Sequence, residues 1–232
     1  IYAFSLGAMF PRLDDIQTSL AIDKAELGLL LLCIPLGLQV TLVFADRLVR
    51  AIPLKNIICI GIPSICFMQF AAVAINQISF FAFFLIVCGA FVAVVEVAIN
   101  LEADRVEHAL GSRIMNRSHA FWSIGFFSAA VVGALFSQFK VMLEIHFLLI
   151  CMISFVISKI IFKDYVVASP RHANVTKIKK FSLPTGPIFV MVLFAMAAML
   201  VEGASIDWSV IFMREIHYAS VSYTHLTLPT KA

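Results

Sequence analysis

Residues 78–101, ISFFAFFLIVCGAFVAVVEVAINL, decide the fold. These 24 consecutive residues hold a single charge, Glu96. About 20 apolar residues in an α-helix cross the hydrocarbon core of a bilayer. In lipid, only a helix or a closed barrel keeps every backbone N–H and C=O paired. A barrel strand would alternate apolar and polar residues over about ten positions. This stretch is continuously apolar instead, so it reads as a spanning helix.

The same signature recurs on both sides of it. Upstream lie 27–46 and 53–75; downstream lie 118–139, 141–162 and 186–213. Residues 1–12 read as the end of another helix, because the apolar run Ile1–Phe10 is too short to span. The expectation is that the chain begins inside its first helix. Composition agrees, with 62% hydrophobic and 13% charged residues. Soluble domains average about 45–50% and about 25%. The 22 Phe and 9 Met suit lipid-facing and helix-packing surfaces. The fold class is therefore all-α integral membrane.

The distribution of basic residues gives the orientation. Connections 46–56, 102–118 and 159–184 carry twelve Lys and Arg, whereas the alternate connections carry only Arg12, Lys24 and Lys140. Basic loops stay cytoplasmic, so the N-terminus and the 163–185 link are expected on that side. That link, KDYVVASPRHANVTKIKKFSLPT, is the longest hydrophilic stretch and divides the chain. Residues 1–162 read as a six-helix bundle with an incomplete first helix. The link follows, and 186–220 reads as a seventh helix opening a second bundle. The final VSYTHLTLPTKA (221–232) resembles translated adapter sequence and is expected to be non-native.

Ionisable groups inside spans cost roughly 2.5–3.5 kcal/mol each on insertion scales, which makes each a functional candidate. Glu96 leads. Asn100 stands four residues on and shares its helical face. A carboxyl there can exist neutral or charged according to what approaches it, which suits proton coupling. A carboxylate that only ties helices together is the alternative. Glu202, Asp207 and Trp208 lie in MLVEGASIDWSVIF. At 100° per residue, Glu202 and Asp207 point about 140° apart and cannot share one small site. Trp208 reads as an interfacial belt residue or a substrate platform. His119 and Trp122 open the helix at 118–139 and are further cavity candidates, although a His there can also bond a loop. Gly125, Ala129 and Gly133 form a small-residue stripe that reads as helix packing. Arg12, Asp14 and Asp15 read as an interfacial cap.

The five cysteines all lie in apolar runs without C-x-x-C spacing and read as small buried hydrophobes. No metal-ligand spacing, Walker loop or hydrolase motif occurs, so no cofactor, metal or enzymatic activity is expected.

Four stretches carry a resemblance: PRLDDIQTSLAIDKAELGLLLL (11–32), EVAIN (96–100), RIMNRSHAFWSIG (113–125) and EGASIDWSVIFMREI (202–216). In that order they resemble major facilitator superfamily transporters, in a bacterial branch related to fucose permease. The similarity runs from Gly7 to about Ser220. It implies twelve spans in two six-helix bundles around a central cavity lined mainly by helices 1, 4, 7 and 10. The Glu-x-Ala-x-Asn pattern at Glu96, Ala98 and Asn100 is similar to the branch's fourth-helix motif, whose glutamate is associated with proton-coupled sugar uptake. The superfamily's G-x-x-x-D-R-x-G-R-R loop is only partly matched, because ADRLVRAIPLKN has Asp46 and Arg47 but places Pro53 at the expected glycine. The resemblance implies a secondary active transporter of the bacterial inner membrane that imports a small polar solute such as a sugar with protons. Efflux of hydrophobic compounds is the alternative, and a non-transporting membrane scaffold is a third reading. Partners would be the solute, protons and the lipid bilayer, with no nucleic acid and a monomeric full-length protein.

Overall fold

Proline and glycine punctuation sets the element boundaries in the computed structural model, which describes residues 1–170 and 185–217. Helix α1 (Tyr2–Gly7) passes through a 3-10 turn (Phe10–Arg12) into α2 (Leu13–Leu20). The first helix was expected to stop near residue 12, but it continues eight residues further. Pro11 sits at the start of the turn, where a missing N–H costs nothing. The Arg12 N–H still bonds the Met9 carbonyl at 3.0 Å. Ala21 then takes the left-handed conformation (φ 52°) and ends the rod.

Asp23 starts α3 (Lys24–Leu31) with a capping box: its carboxylate accepts from the Glu26 N–H, and the Glu26 carboxylate accepts from the Asp23 N–H. With α4 (Cys33–Ala51) it makes one 28-residue apolar span. Pro53 caps α5 (Leu54–Ile75), and Asn76 closes it at φ 49°. Helix α6 (Ile78–Leu110) has 33 residues, nine more than the apolar run predicts. At 1.5 Å per residue it is about 50 Å long, so its polar end projects beyond a 30 Å hydrocarbon core. Gly111 ends it at φ 62°. Helices α7 (Met115–Gln138), α8 (Leu143–Phe162) and α9 (Gly186–His217) complete the described structure. Residues 171–184 of the expected link and the expected tail 221–232 lie outside the described residues.

Helix α4 packs on α6, α5 packs on α6 and α8, and α1 packs on α7 and α5. The α4–α6 crossing is the tightest. A Cβ added at Gly37 would fall closer than 3.0 Å to the Ile86 carbonyl, and one at Gly89 equally close to the Ile34 carbonyl. Two lone glycines thus let two backbones touch. On α7 the small-residue stripe faces the first helix: Gly125 lies against Ala3, Ala129 against Gly7, and Gly133 against Pro11.

Many large apolar side chains face outward, among them Val43, Phe121, Phe139 and Phe194. Such a surface fits lipid rather than water. Among the described residues, six helices are long and apolar enough to cross a membrane. The chain is an all-α, multi-pass integral membrane protein.

Candidate functional site

Glu96 stands two residues past the midpoint of α6 and is half-buried. One turn on, the Asn100 amide donates 3.0 Å hydrogen bonds to both the Glu96 side-chain Oε1 and its main-chain oxygen. The buried Tyr2 phenol of α1 lies close to the carboxyl. Glu96 therefore has a donor from its own helix and a phenol of the first helix close by. The spacing of Glu96 and Asn100 foretold their contact. Tyr2 gave no signal, because a Tyr near the start of an apolar run is common.

Trp122 joins this region to a cleft. It packs against the core group that holds Tyr2, Val92 and Val95, and it stacks on Phe126 at 5.2 Å between ring centroids with planes 16° apart. Phe126 in turn meets Phe10 at 5.5 Å. These rings form one wall of a cleft of about 310 Å³ between the first helix, α7 and α9. Glu202, Ser205 and Ser209 of α9 and Ser123 of α7 supply its polar groups, and Pro11, Phe127, Ala130, Ile206 and Val210 complete an otherwise apolar lining. The cleft combines a flat aromatic platform, hydroxyls and one carboxylate. That is the mixed apolar and polar lining expected of a small-molecule site.

Asp207 and Trp208 face elsewhere, as the 140° divergence requires. They line a second cleft of about 240 Å³ with Phe10, Gly28, Leu31 and Pro35. Phe10 is the partition between the two clefts. His119 is exposed near the start of α7 and borders neither.

At one end of the bundle Arg12, Asp14 and Asp15 belong to a partly buried polar cluster rather than an exposed interfacial cap. Arg12 is 3% exposed and makes three contacts. It donates to Asp15 Oδ2 at 2.6 Å and to the Val141 carbonyl at 2.7 Å, and it meets His146 Nδ1 at 3.3 Å. His146 of α8 is fully buried, and its Nε2 has no partner among the described residues. Arg214 of α9 pairs with Asp14, lies 3.9 Å from Asp15, and donates to the Ser137 hydroxyl at 3.2 Å. Lys24 pairs with Glu215 alongside. This cluster ties the first helix, α3, α7, α8 and α9 together. Elsewhere α9 is largely bare, and its apolar window is 0% buried.

The opposite end carries a buried carboxylate. Glu102, 5% exposed, accepts from the Tyr165 hydroxyl and from the Ala168 N–H at 2.8 Å. Lys55 donates to the carbonyls of Lys163 and Tyr165. Together they strap the first residues of the link onto α5 and α6. Burial first, and the Glu102 bond second, push the Tyr165 phenol above its usual pKa. Among the described residues no group of three or more His, Cys, Asp or Glu could hold a metal ion.

No family model matches the chain. It is 26% identical over 214 residues to a Sinorhizobium fredii protein named as an uncharacterized transporter; the match covers 91% of this chain and 56% of that protein. It is also 26% identical over 231 residues to a Yersinia pestis protein named as an uncharacterized MFS-type transporter, covering 96% of this chain and 57% of the relative. The chain thus spans a little over half the length of the curated relatives it matches. Over nearly all of its own length, it is similar to proteins named as transporters, one of them of the major facilitator type.

Proposed function

We propose that the chain belongs to a proton-coupled secondary transporter of the major facilitator type, in the branch related to fucose permease, that imports a small polar solute such as a sugar. The observation that carries this reading is Glu96. It is the one charged residue in the apolar run 78–101 of α6, bonded by Asn100 and close to Tyr2 of the first helix. A carboxyl held by neutral donors changes charge without losing its place, as a coupling group must. Trp122, Phe126, Glu202 and the nearby serines supply a cleft whose chemistry suits a polar solute with one apolar face.

Alternating access in this class of protein rocks two helix bundles about a central site. The residues here supply one bundle and α9. In the proposed cycle, solute enters the Trp122–Glu202 cleft while Glu96 is protonated, and loss of the proton on the cytoplasmic side resets the carrier. Asp14, Asp15 and Arg214 would hold α9 against the first helix when the opposite side is open. The aromatic share of the cleft also favours a second reading, proton-driven efflux of hydrophobic compounds.

Transport by the full-length protein in sealed vesicles, with and without an imposed pH gradient, decides between them. Import requires that a polar solute accumulates when the outside is more acidic. Efflux requires that apolar compounds move the other way. A protein that moves neither under either gradient is not a transporter.

A further inference from the structure

We infer that the groove between α5 and α8 binds one anionic phospholipid, with its headgroup at Lys159 and one acyl chain lying along the helices. The groove encloses about 450 Å³. Its floor and walls are apolar or nearly so: Ile60, Pro63 and Phe67 from α5, and Met152 and Phe155 from α8. None of its lining residues is acidic.

Its dimensions match half a bilayer. On α5 the lining runs from Cys59 to Phe67, and on α8 from Lys159 back to Cys151. Eight residues at 1.5 Å per residue give a trough about 12 Å long on either helix. One leaflet contributes roughly 15 Å of the hydrocarbon core. The trough starts in the last turn of α8, four residues before the link, and so runs from the interface toward the midplane.

Charge sits only at the mouth. Lys159 Nζ lies 5.7 Å from the centre of the Phe155 ring, so the ammonium leans over the groove. The charges of both Lys55 and Lys159 reach Cys59 at the same end. Lys55 does not line the groove and has two of its three donors engaged by the Lys163 and Tyr165 carbonyls, which leaves Lys159 to meet a phosphate. An apolar trough one leaflet deep with an ammonium at its polar end complements an anionic lipid. A zwitterionic lipid fills the trough equally well but gains less at the mouth. This reading holds whether or not the protein transports.

Native mass spectrometry of the 232-residue chain in detergent tests it, with phosphatidylglycerol and phosphatidylcholine of identical acyl chains as probes. The wild-type chain should retain one phosphatidylglycerol under activation that strips phosphatidylcholine. Lys159→Ala should weaken phosphatidylglycerol retention about five-fold and leave phosphatidylcholine unchanged. Ser64→Trp, which fills the trough, should lower retention of both. Lys163→Ala removes a nearby charge that does not line the groove and should change retention less than twofold. Equal retention of the two lipids by the wild type overturns the proposal. So does a Lys163→Ala effect as large as that of Lys159→Ala, because either result means diffuse attraction rather than a site.

Discussion

Replacing Arg12 with Ala should be among the most damaging single changes outside the helix crossings. Arg12 is 3% exposed and its guanidinium engages Asp15, His146 and the Val141 carbonyl. Alanine leaves all three without that donor, and His146 already has one unpartnered ring nitrogen. Each buried group left unpaired costs about 1–3 kcal/mol, and removal of one partner from a buried ion pair costs about 3–5 kcal/mol in total. The three losses share one side chain and do not add, so about 3–5 kcal/mol is the expected cost. For a chain of this size that corresponds to a fall of about 6–20 °C in melting temperature. The assay is loss of the monodisperse detergent-solubilised peak on size-exclusion chromatography after heating. Arg12→Ala, His146→Ala and the double variant complete a cycle, in which the pair should show a coupling above about 0.5 kcal/mol. An exposed interfacial cap would behave otherwise: surface ion pairs are worth about 0–1 kcal/mol, and the melting point would move by no more than about 4 °C. That result, or strict additivity in the cycle, would refute the buried hub.

Gly89→Ala should cost about 2–3 kcal/mol, the upper part of the range for overpacking, because its Cβ meets the Ile34 backbone rather than a side chain that can turn aside. Gly203→Ala on α9, where nothing lies within 4 Å, is the matched control and should be neutral in the same heating assay. Tyr165→Phe removes the Tyr165 hydroxyl bond to Glu102 and should speed limited proteolysis in 163–170 several-fold without changing the cleavage pattern elsewhere. The pH dependence of the strap follows the sign of the Tyr165 shift. A phenol whose folded pKa is raised contributes stability that is fully present below the unfolded value of about 10 and is lost as pH rises toward the folded value. Proteolysis of the wild-type link should therefore be flat from pH 7 to about 10 and accelerate above it, and the phenylalanine variant should lack that rise.

Much of the architecture was legible because hydropathy in lipid is a strong, local signal. Each span from residue 27 onward lies within or across a helix near its expected bounds. The α6 extension past residue 101 was missed because hydropathy reports the membrane rather than the helix. Residues 102–110 are polar yet remain good helix formers, so the helix leaves the bilayer without stopping. The continuation of the first helix past residue 12 was missed for the same reason: the apolar run stops at Phe10, whereas the helix passes through Pro11, which is welcome at the start of a turn. Local spacing also gave the Glu96–Asn100 contact and the divergence of Glu202 from Asp207, since both follow from 100° per residue. Contacts between distant helices were beyond it. His146 is 134 positions from Arg12, and an Arg beside two Asp at a span end reads as a solvated cap until α8 and α9 close over it. Gly37 is spaced four residues from Thr41 and Gly89 four from Ala93, but only the crossing of α4 with α6 shows that the two glycines meet the facing backbones.

The most direct test of the coupling role is gradient-driven accumulation by the full-length protein carrying Glu96→Gln, expressed per folded molecule. Glutamine keeps the length of the side chain and an oxygen for the Asn100 amide, and it removes titration. Accumulation against a concentration gradient should fall to the level seen without a pH gradient, while solute binding or counterflow exchange survives. Glu96→Asp should retain part of the accumulation, because a carboxyl one methylene short still titrates. Undiminished accumulation in the glutamine variant would contradict the account and move the coupling group to Glu202 or Asp207.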